Sequence, residues 1–481
     1  MTLTAADAHF AARLQALLPP DTLRPVQPRY LEEPRGRYHG QCGVLALPRT
    51  VQDVSVLMAQ AHAARVPVVP YGGGTGLVGG QIMSDGPAPL VISLERMAQV
   101  QGVYAQENVM IAQAGAVLAD LQARARDANR LFPLSLASEG TAQIGGLLST
   151  NAGGVNVLRY GNTRDLCLGI QAVLPDGRIW NGLSRLRKDN TGYDLKQLLI
   201  GAEGTLGMIT AAALKLYPIP AHQGAALLQV ASPQAALDLL SMARDLWGEA
   251  ISAFELIHGQ GLRFLAETLP DIRQPFAQMP DWSVLIDLGL SQGQDPMQGL
   301  EQLFERAMQQ GLADDGVIAQ SLAQRQQLWT LREHIPEANR KVGALASHDI
   351  SIPISRIPAF LVQGQELVAQ LGPFRVNAFG HLGDGNLHFN VFPPAGQTKQ
   401  DFPGMSAQIM QAIHDLVHRF DGSVSAEHGI GRLKTGDLAR YADPVELSLM
   451  QQIKTALDPH GIMNPGAVLL LPRSAGTKKL Q

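Results

Sequence analysis

The stretch Tyr71-Gly72-Gly73-Gly74-Thr75-Gly76-Leu77-Val78-Gly79-Gly80 constrains the fold of this chain more than any other. It follows Arg65-Val66-Pro67-Val68-Val69-Pro70, which reads as a strand, and Gly74, Gly76 and Gly79 match the G-x-G-x-x-G spacing. That fingerprint requires a helix to begin within the glycines, so that its N-terminus meets a pyrophosphate. Here Gly79, Gly80, Asp85-Gly86, Pro87 and Pro89 follow, a run that cannot hold a helix. A Rossmann domain is therefore excluded. The alternative is a strand-to-loop element whose bare backbone N–H groups form an anion nest without a helix.

Further small-residue stretches run from Ser138 to Gly154 and from Gly201 to Thr210. Each alone is compatible with a plain turn. Together they read as loops of one domain that lie close to a long ligand, with Ser, Thr and Asn side chains fixing it.

His381-Leu382-Gly383-Asp384-Gly385-Asn386-Leu387-His388 reads as two short strands joined by Asp384-Gly385, a dipeptide suited to a two-residue type I′ turn. Folding about that turn sets Leu382 opposite Leu387 and His381 opposite His388. Directly opposed residues have Cβ atoms roughly 5 Å apart on one face. Two imidazoles so placed can share one metal ion at about 2.1 Å per nitrogen. Glu427, in Ser425-Ala426-Glu427-His428-Gly429, offers a carboxylate as third ligand. Two His and one carboxylate leave coordination positions open, as a catalytic metal requires. The structural alternative is a hairpin that merely carries two histidines.

At 481 residues the chain exceeds one hydrophobic core, so two or three domains are expected. A formal net charge of −4 and the absence of a Lys/Arg cluster argue against nucleic-acid binding. Cys42 and Cys167 have no metal or redox spacing and are expected as reduced cytoplasmic thiols. Residues 1–20 show helical spacing without the basic and apolar regions of a secretory signal, and no run is long enough to span a membrane. A cytoplasmic protein is expected, with peripheral attachment to the inner face of a membrane left open. His62, His222, His258, His414 and His418 sit in ordinary amphipathic or loop contexts. His414 and His418 have i, i+4 spacing but lack the Glu of H-E-x-x-H.

The Gly72–Gly80 loop, Thr141–Gly154, Arg159-Tyr160-Gly161-Asn162, Arg187–Leu195 and Gly201–Gly207 together resemble the FAD domain of the vanillyl-alcohol-oxidase-type (PCMH-type) flavoproteins. The resemblance is strongest to the FAD-linked D-2-hydroxy-acid dehydrogenases, which include D-lactate, glycolate and D-2-hydroxyglutarate dehydrogenases. It extends from about residue 40 to about residue 470 and takes in the hairpin, Glu427-His428 and Asp458–Gly466.

This resemblance implies that Gly72, Gly73, Gly74, Thr75 and Gly76 hold the FAD pyrophosphate, with Leu77 and Val78 close by. It places Thr141, Gly145, Gly146, Ser149, Asn151, Gly153 and Gly154 along the isoalloxazine and ribityl region. Glu203, Gly204, Gly207 and Ile209 would meet the ribityl and adenosine parts, and Asn464 would approach the flavin from the C-terminal end. Some relatives attach FAD through a His in the first loop; Thr75 stands there in this chain, so non-covalent FAD is expected. The family's metal ligands fall on His381, His388 and Glu427, its base on His428, and its carboxylate-gripping arginine on Arg332. A fork of donors suits that last task. Asn390, two residues past His388, is a further substrate contact on the same strand face.

Two departures bear on the substrate. Relatives that prefer 2-hydroxyglutarate place Thr shortly after the arginine, where this chain has Pro336, and Lys before the Asp of the next strand, where it has Ser347-His348-Asp349. A distal carboxylate would lie there, with His348 as a substitute partner. A smaller, D-lactate-like acid is therefore favoured over D-2-hydroxyglutarate. A non-catalytic flavin subunit of a glycolate-oxidase-type complex and a non-redox enzyme on the same fold are the rival readings. The expected chemistry is oxidation of a D-2-hydroxy acid to the 2-oxo acid. FAD takes the hydride, a divalent metal such as Zn²⁺ acts as Lewis acid, and His428, with an ordinary imidazole pKa near 6.5, acts as base. The electron acceptor stays open among a quinone, an electron-transfer flavoprotein and a partner subunit, and so does a homodimer.

The expected fold class is α+β: residues 1–39 a helix and lead-in, 40–219 the PCMH-type FAD-binding domain, 220–400 an antiparallel-sheet substrate (cap) domain with helices on one side, and 401–481 a helical segment returning to the flavin.

Overall fold

The computed structural model describes residues 2–470, and residues 471–481 of the expected C-terminal segment lie outside the described residues. The chain divides into two compact units. The first takes in residues up to 152, 162–218 and from 428 onward; the second takes in 153–161 and 219–427.

In the first unit Val44–Ala46, Leu90–Ser93 and Val68–Tyr71 form a parallel core with Leu23–Arg24 antiparallel at one edge. The Val51–Ala64 helix makes the crossover into Val68–Tyr71. It starts at a capping box in which Thr50 and Asp53 satisfy each other's backbone N–H groups. Its apolar stripe, Val54, Leu57, Met58 and Ala61, is fully buried with Phe10 and Leu14 of the Ala8–Leu17 helix. A five-stranded antiparallel sheet adds Val100–Tyr104, Val109–Gln113, Met208–Lys215, Cys167–Val173 and Ile179–Gly182. Met463 bridges Val68 in parallel, so the C-terminal segment lies beside the strand that feeds the first glycine loop.

Residues 72–80 contain no helix, as the glycines and prolines require. The second stretch differs from the loop expected. Ile144–Thr150 is a helix with Gly145 and Gly146 in its first turn. Close packing explains it: a Cβ on Gly145 would lie 2.7 Å from the Ala114 Cβ, so glycine lets this helix press against the neighbouring backbone.

The second unit is built on a seven-stranded antiparallel sheet in the order Ala313–Ile318, His222–Val230, Trp282–Leu290, Ile251–His258, Arg375–His381, Asn386–Phe392, Ala346–Ser351. Helices cover both faces rather than one. Ala226, Leu228, Val284 and Ile286 pack under Pro233–Trp247, Pro296–Gln309, Ile357–Leu371 and Met405–Arg419. Ala225, Leu227, Leu285 and Phe379 pack under Gly259–Thr268 and Leu322–Val342. The nearly unbroken apolar run Ser283–Leu290 carries this signal, because a strand buried on both faces loses its alternation.

Candidate active site

The glycine stretches of the first unit line an open cavity. Gly72, Gly73, Gly74, Thr75 and Gly76 form one wall, Gly145, Gly146 and Ser149 another, and Glu203, Gly204, Gly207 and Ile209 a third; His428 also lines it. The wall is backbone in close approach: a Cβ on Gly73 would stand 2.1 Å from the Thr141 carbonyl oxygen. Gly74 has φ +73°, which glycine adopts without strain. Thr141 lines a neighbouring recess together with Gly72, Gly73 and Gly74. Tyr71, Gln81, Gln143 and Met208, which sequence reasoning missed, also face the main cavity. A long ligand with phosphates and hydroxyls, as FAD is, fits such a cradle, since glycines bring backbone donors within reach.

Other expected residues are engaged within the protein. Asn464 does not line the cavity; its amide donates to the carbonyls of Gly80 and Glu203 and its Oδ1 accepts from Arg432. Asn464 thus ties the glycine loops together from behind. The Glu203 carboxylate accepts from the N–H groups of Ile430 and Gly431. Burial holds its pKa up, against the pull of those bonds. Asn151 caps the Ile144–Thr150 helix in the left-handed conformation and accepts from the Arg164 N–H. Gly153 and Gly154 belong to the second unit, where a Cβ on Gly153 would meet Glu427 Oε1 at 3.1 Å. Leu77 does not appear in the cavity wall.

His381, His388 and Glu427 come together in the second unit, each with one ligand atom within 4.8 Å of the others. The hairpin that carries the histidines is not the one expected. His388 lies opposite Phe379 rather than His381, so the loop is the four-residue Leu382–Gly385. The His381 carbonyl accepts from the N–H groups of both Asp384 and Gly385, and Asp384 Oδ1 accepts from the Asn386 N–H. Gly385, at φ +89°, closes that loop. The register moves by two residues, and an even shift leaves both histidines on one face. Their ring centroids are 5.9 Å apart at 78°.

Cross-strand pairing gives each histidine a carboxylate neighbour. Glu255 lies opposite His381, and its Oε1 is 2.6 Å from His381 Nδ1. Asp349 lies opposite His388 with Oδ1 4.0 Å from Nδ1, and its Oδ2 accepts from the Glu427 N–H. On the remaining side of the His381 ring, Nε2 is 3.7 Å from Glu427 Oε1. Histidine ligands backed by carboxylates are the usual outer support of a metal site. Burial works against a charged His381, but Glu255 and then Glu427 outweigh it and hold its pKa up. Burial, Asp349 and Asp384 hold that of Glu427 up against the pull of His381. These carboxylates, of which Glu255 and Asp349 are buried, outnumber the nearby fixed cation Arg332, so the donor set suits a divalent ion.

Arg332 is buried, stacks 4.8 Å from the Phe379 ring, and gives Nε and Nη2 to Glu255 at 2.9 and 2.7 Å. Its two-donor edge is thus engaged within the protein. Asn390 lies on the same strand face as His388, and its amide donates to the His388 carbonyl. Pro336 lies inside the Leu322–Val342 helix. Ser347 is exposed, and alternation puts His348 on the opposite sheet face, with Nδ1 on the Phe389 carbonyl oxygen. Sequence reasoning missed Glu255. Its signal was a lone carboxylate in the apolar strand Ala253-Phe254-Glu255-Leu256-Ile257.

Family models match on both sides of the chain: "FAD binding domain" over residues 43–182 and "FAD linked oxidases, C-terminal domain" over residues 219–468. A D-2-hydroxyglutarate dehydrogenase of Xanthomonas citri pv. viticola is 37% identical over 423 residues, covering 88% of each chain. The chain belongs to the FAD-linked D-2-hydroxy-acid dehydrogenase family. It is an FAD-dependent oxidoreductase acting on the CH–OH group of D-2-hydroxy acids. A mitochondrial D-2-hydroxyglutarate dehydrogenase of Rattus norvegicus is also 37% identical, over 88% of this chain and 77% of that one. Among solved structures, a substrate-bound p-cresol methylhydroxylase matches with TM-score 0.74 at 14% identity, over 97% of this chain and 98% of that one. An alkyldihydroxyacetonephosphate synthase matches with TM-score 0.70 at 18% identity, over 97% and 86%. Both show the PCMH-type fold. Among the described residues, no helix is long and apolar enough to cross a membrane.

Proposed function

We propose that this chain is a divalent-metal-dependent D-2-hydroxyglutarate dehydrogenase with non-covalently bound FAD. Likeness to D-2-hydroxyglutarate dehydrogenases along most of the chain supports this substrate over the D-lactate-like acid favoured by the sequence departures. The observation that carries the metal is the His381–His388–Glu427 group, buried at His381 and half-buried at the other two, with Glu255 and Asp349 behind its histidines.

FAD supplies a two-electron acceptor for the hydrogen on C2. His381, His388 and Glu427 would hold the metal, which when bound would supply a Lewis acid that makes the 2-hydroxyl more acidic. Arg332 draws in the substrate carboxylate through its Nη1, because Glu255 takes the other edge. Asn390 adds a polar contact on the face that carries His388. His428 removes the proton from the 2-hydroxyl. Fixed carboxylate and hydroxyl positions allow only one face of C2 to react, which selects the D-acid.

A second reading, a small D-2-hydroxy acid such as D-lactate, rests on Pro336 and Ser347. Neither supplies a cation for a distal carboxylate, and His348 faces the other side of the sheet. Anaerobic bleaching of the flavin by a panel of D- and L-2-hydroxy acids separates the two, before and after chelator treatment. Fastest bleaching by D-2-hydroxyglutarate, lost with chelator and restored by Zn²⁺ or Mn²⁺, is expected. Faster bleaching by D-lactate would select the second reading, and bleaching indifferent to chelator would remove the metal.

A further inference from the structure

We propose that Glu255 is a positioning residue that joins the candidate metal site to the carboxylate-binding arginine, an inference that rests on the metal reading above. Glu255 is fully buried in the Ile251–His258 strand, between Phe254 and Leu256, which face the opposite side of the sheet. Its two oxygens are divided. Oε1 meets His381 Nδ1 at 2.6 Å, while Oε2 accepts from Arg332 Nε at 2.9 Å and Nη2 at 2.7 Å. One carboxylate therefore orients a candidate metal ligand and a candidate substrate anchor together.

Each contact has a chemical consequence. A carboxylate at Nδ1 selects the neutral tautomer protonated on that nitrogen, the form that binds a metal, whose lone pair is on Nε2, the atom 3.7 Å from Glu427 Oε1. At Arg332, engagement of Nε and Nη2 leaves Nη1 to meet a substrate. Phe379 beneath the guanidinium plane fixes the direction in which Nη1 points. A glutamine at 255 has the same shape but only one acceptor oxygen. It can serve His381 or Arg332, not both.

A buried carboxylate in the next strand provides a control. Asp287, in Trp282–Leu290, accepts from Trp329 Nε1 at 2.7 Å and pairs with Arg325 at 2.8 Å, without touching either histidine. Asp287→Asn damages another ion pair of this sheet, a buried carboxylate with a half-buried arginine, without changing the surroundings of His381.

The experiment uses full-length, FAD-loaded protein as wild type, Glu255→Gln and Asp287→Asn. Zn²⁺ affinity is read by competition with a chromophoric chelator, and kcat and KM are measured at saturating Zn²⁺. Glu255→Gln is expected to keep its flavin spectrum but bind Zn²⁺ about 10–100-fold more weakly. Its KM for the hydroxy acid should remain raised even with the metal site filled, because Arg332 is no longer held. Asp287→Asn should keep wild-type Zn²⁺ affinity. Equal Zn²⁺ affinity in wild type and Glu255→Gln overturns the role of Glu255 while leaving the metal reading intact. Equal weakening by Asp287→Asn overturns it too, because the effect is then general to ion pairs of this sheet. A wild type that binds neither Zn²⁺ nor Mn²⁺ overturns both. Should Glu255→Gln fail to fold, ¹⁵N-histidine NMR of the Zn²⁺-loaded wild type decides: a His381 proton on Nδ1 is expected, and one on Nε2 overturns the proposal.

Discussion

The glycine-walled cavity of the first unit and the histidine cluster of the second are built from opposite materials. The cavity is shaped by backbone. Gly73 and Gly145 bring main chains closer than a Cβ allows, and the charged groups nearby, Glu203 and Arg432, are spent on backbone partners and, for Arg432, on the Asn464 amide as well. The histidine cluster is shaped by charge on a conventional sheet. Glu255, Asp349, Glu427, His381 and Arg332 stand on or over regular strands whose backbone makes ordinary ladders. A backbone-built site tolerates changes of pH and charge but not an added methyl group. A charge-built site behaves the other way, because burial makes each charge depend on its partner.

His428 gives the largest expected effect and tests whether the two materials are separable. It lines the cavity, yet the cavity's shape rests on glycines. His428→Ala is expected to keep its FAD and metal content while turnover falls about 10²–10⁴-fold, the usual worth of a general base. Loss of FAD in this variant, or near-normal turnover, would break that assignment.

The next effect is in stability against pH and belongs to the sheet of the second unit. His258 ends the Glu255 strand, stacks 4.5 Å from Trp282, and burial lowers its pKa to about 4, with Arg263 adding to the fall. The folded state therefore keeps His258 neutral while the unfolded chain protonates it below about 6.5. Its contribution is complete above the unfolded value and is lost as pH falls from there toward the folded value. That loss is on the order of 3 kcal/mol at about 1.4 kcal/mol per pK unit. Denaturant unfolding between neutral pH and mild acid should show this slope in wild type and a flatter one in His258→Gln. Equal slopes would mean that the acid sensitivity lies elsewhere.

The smallest effect in energy is the most direct test of a backbone-built cavity. Gly73→Ala puts a methyl group against the Thr141 carbonyl, where main chain must move. A stability loss of about 1–3 kcal/mol is expected, with most of the FAD gone after gel filtration. Full FAD retention would show that the wall yields, and the contrast between the two regions would weaken.

Legibility in the sequence followed the same division. The Gly72–Gly80 loop was readable as a helix-free nest because glycine and proline act locally, whatever the rest of the chain does. The Ile144–Thr150 helix was not, because its glycines serve packing against Ala114 rather than a turn. Both histidines on one strand face followed from the period of two, and it survived an error in register because the shift was even.

What the chain determined by itself was therefore local: glycine walls, strand periodicity, the residue types at 381, 388, 427 and 428, and with them the family. Only the tertiary structure decided that Ile251–His258 would be the neighbour of Arg375–His381, bringing Glu255 to His381 across 126 residues of sequence. It likewise placed Asn464 behind the glycine loops and laid helices on both faces of the sheet. The physical reason is that backbone geometry and side-chain alternation act over a few residues. The choice of strand neighbour is made by the burial of whole faces, which no local stretch records.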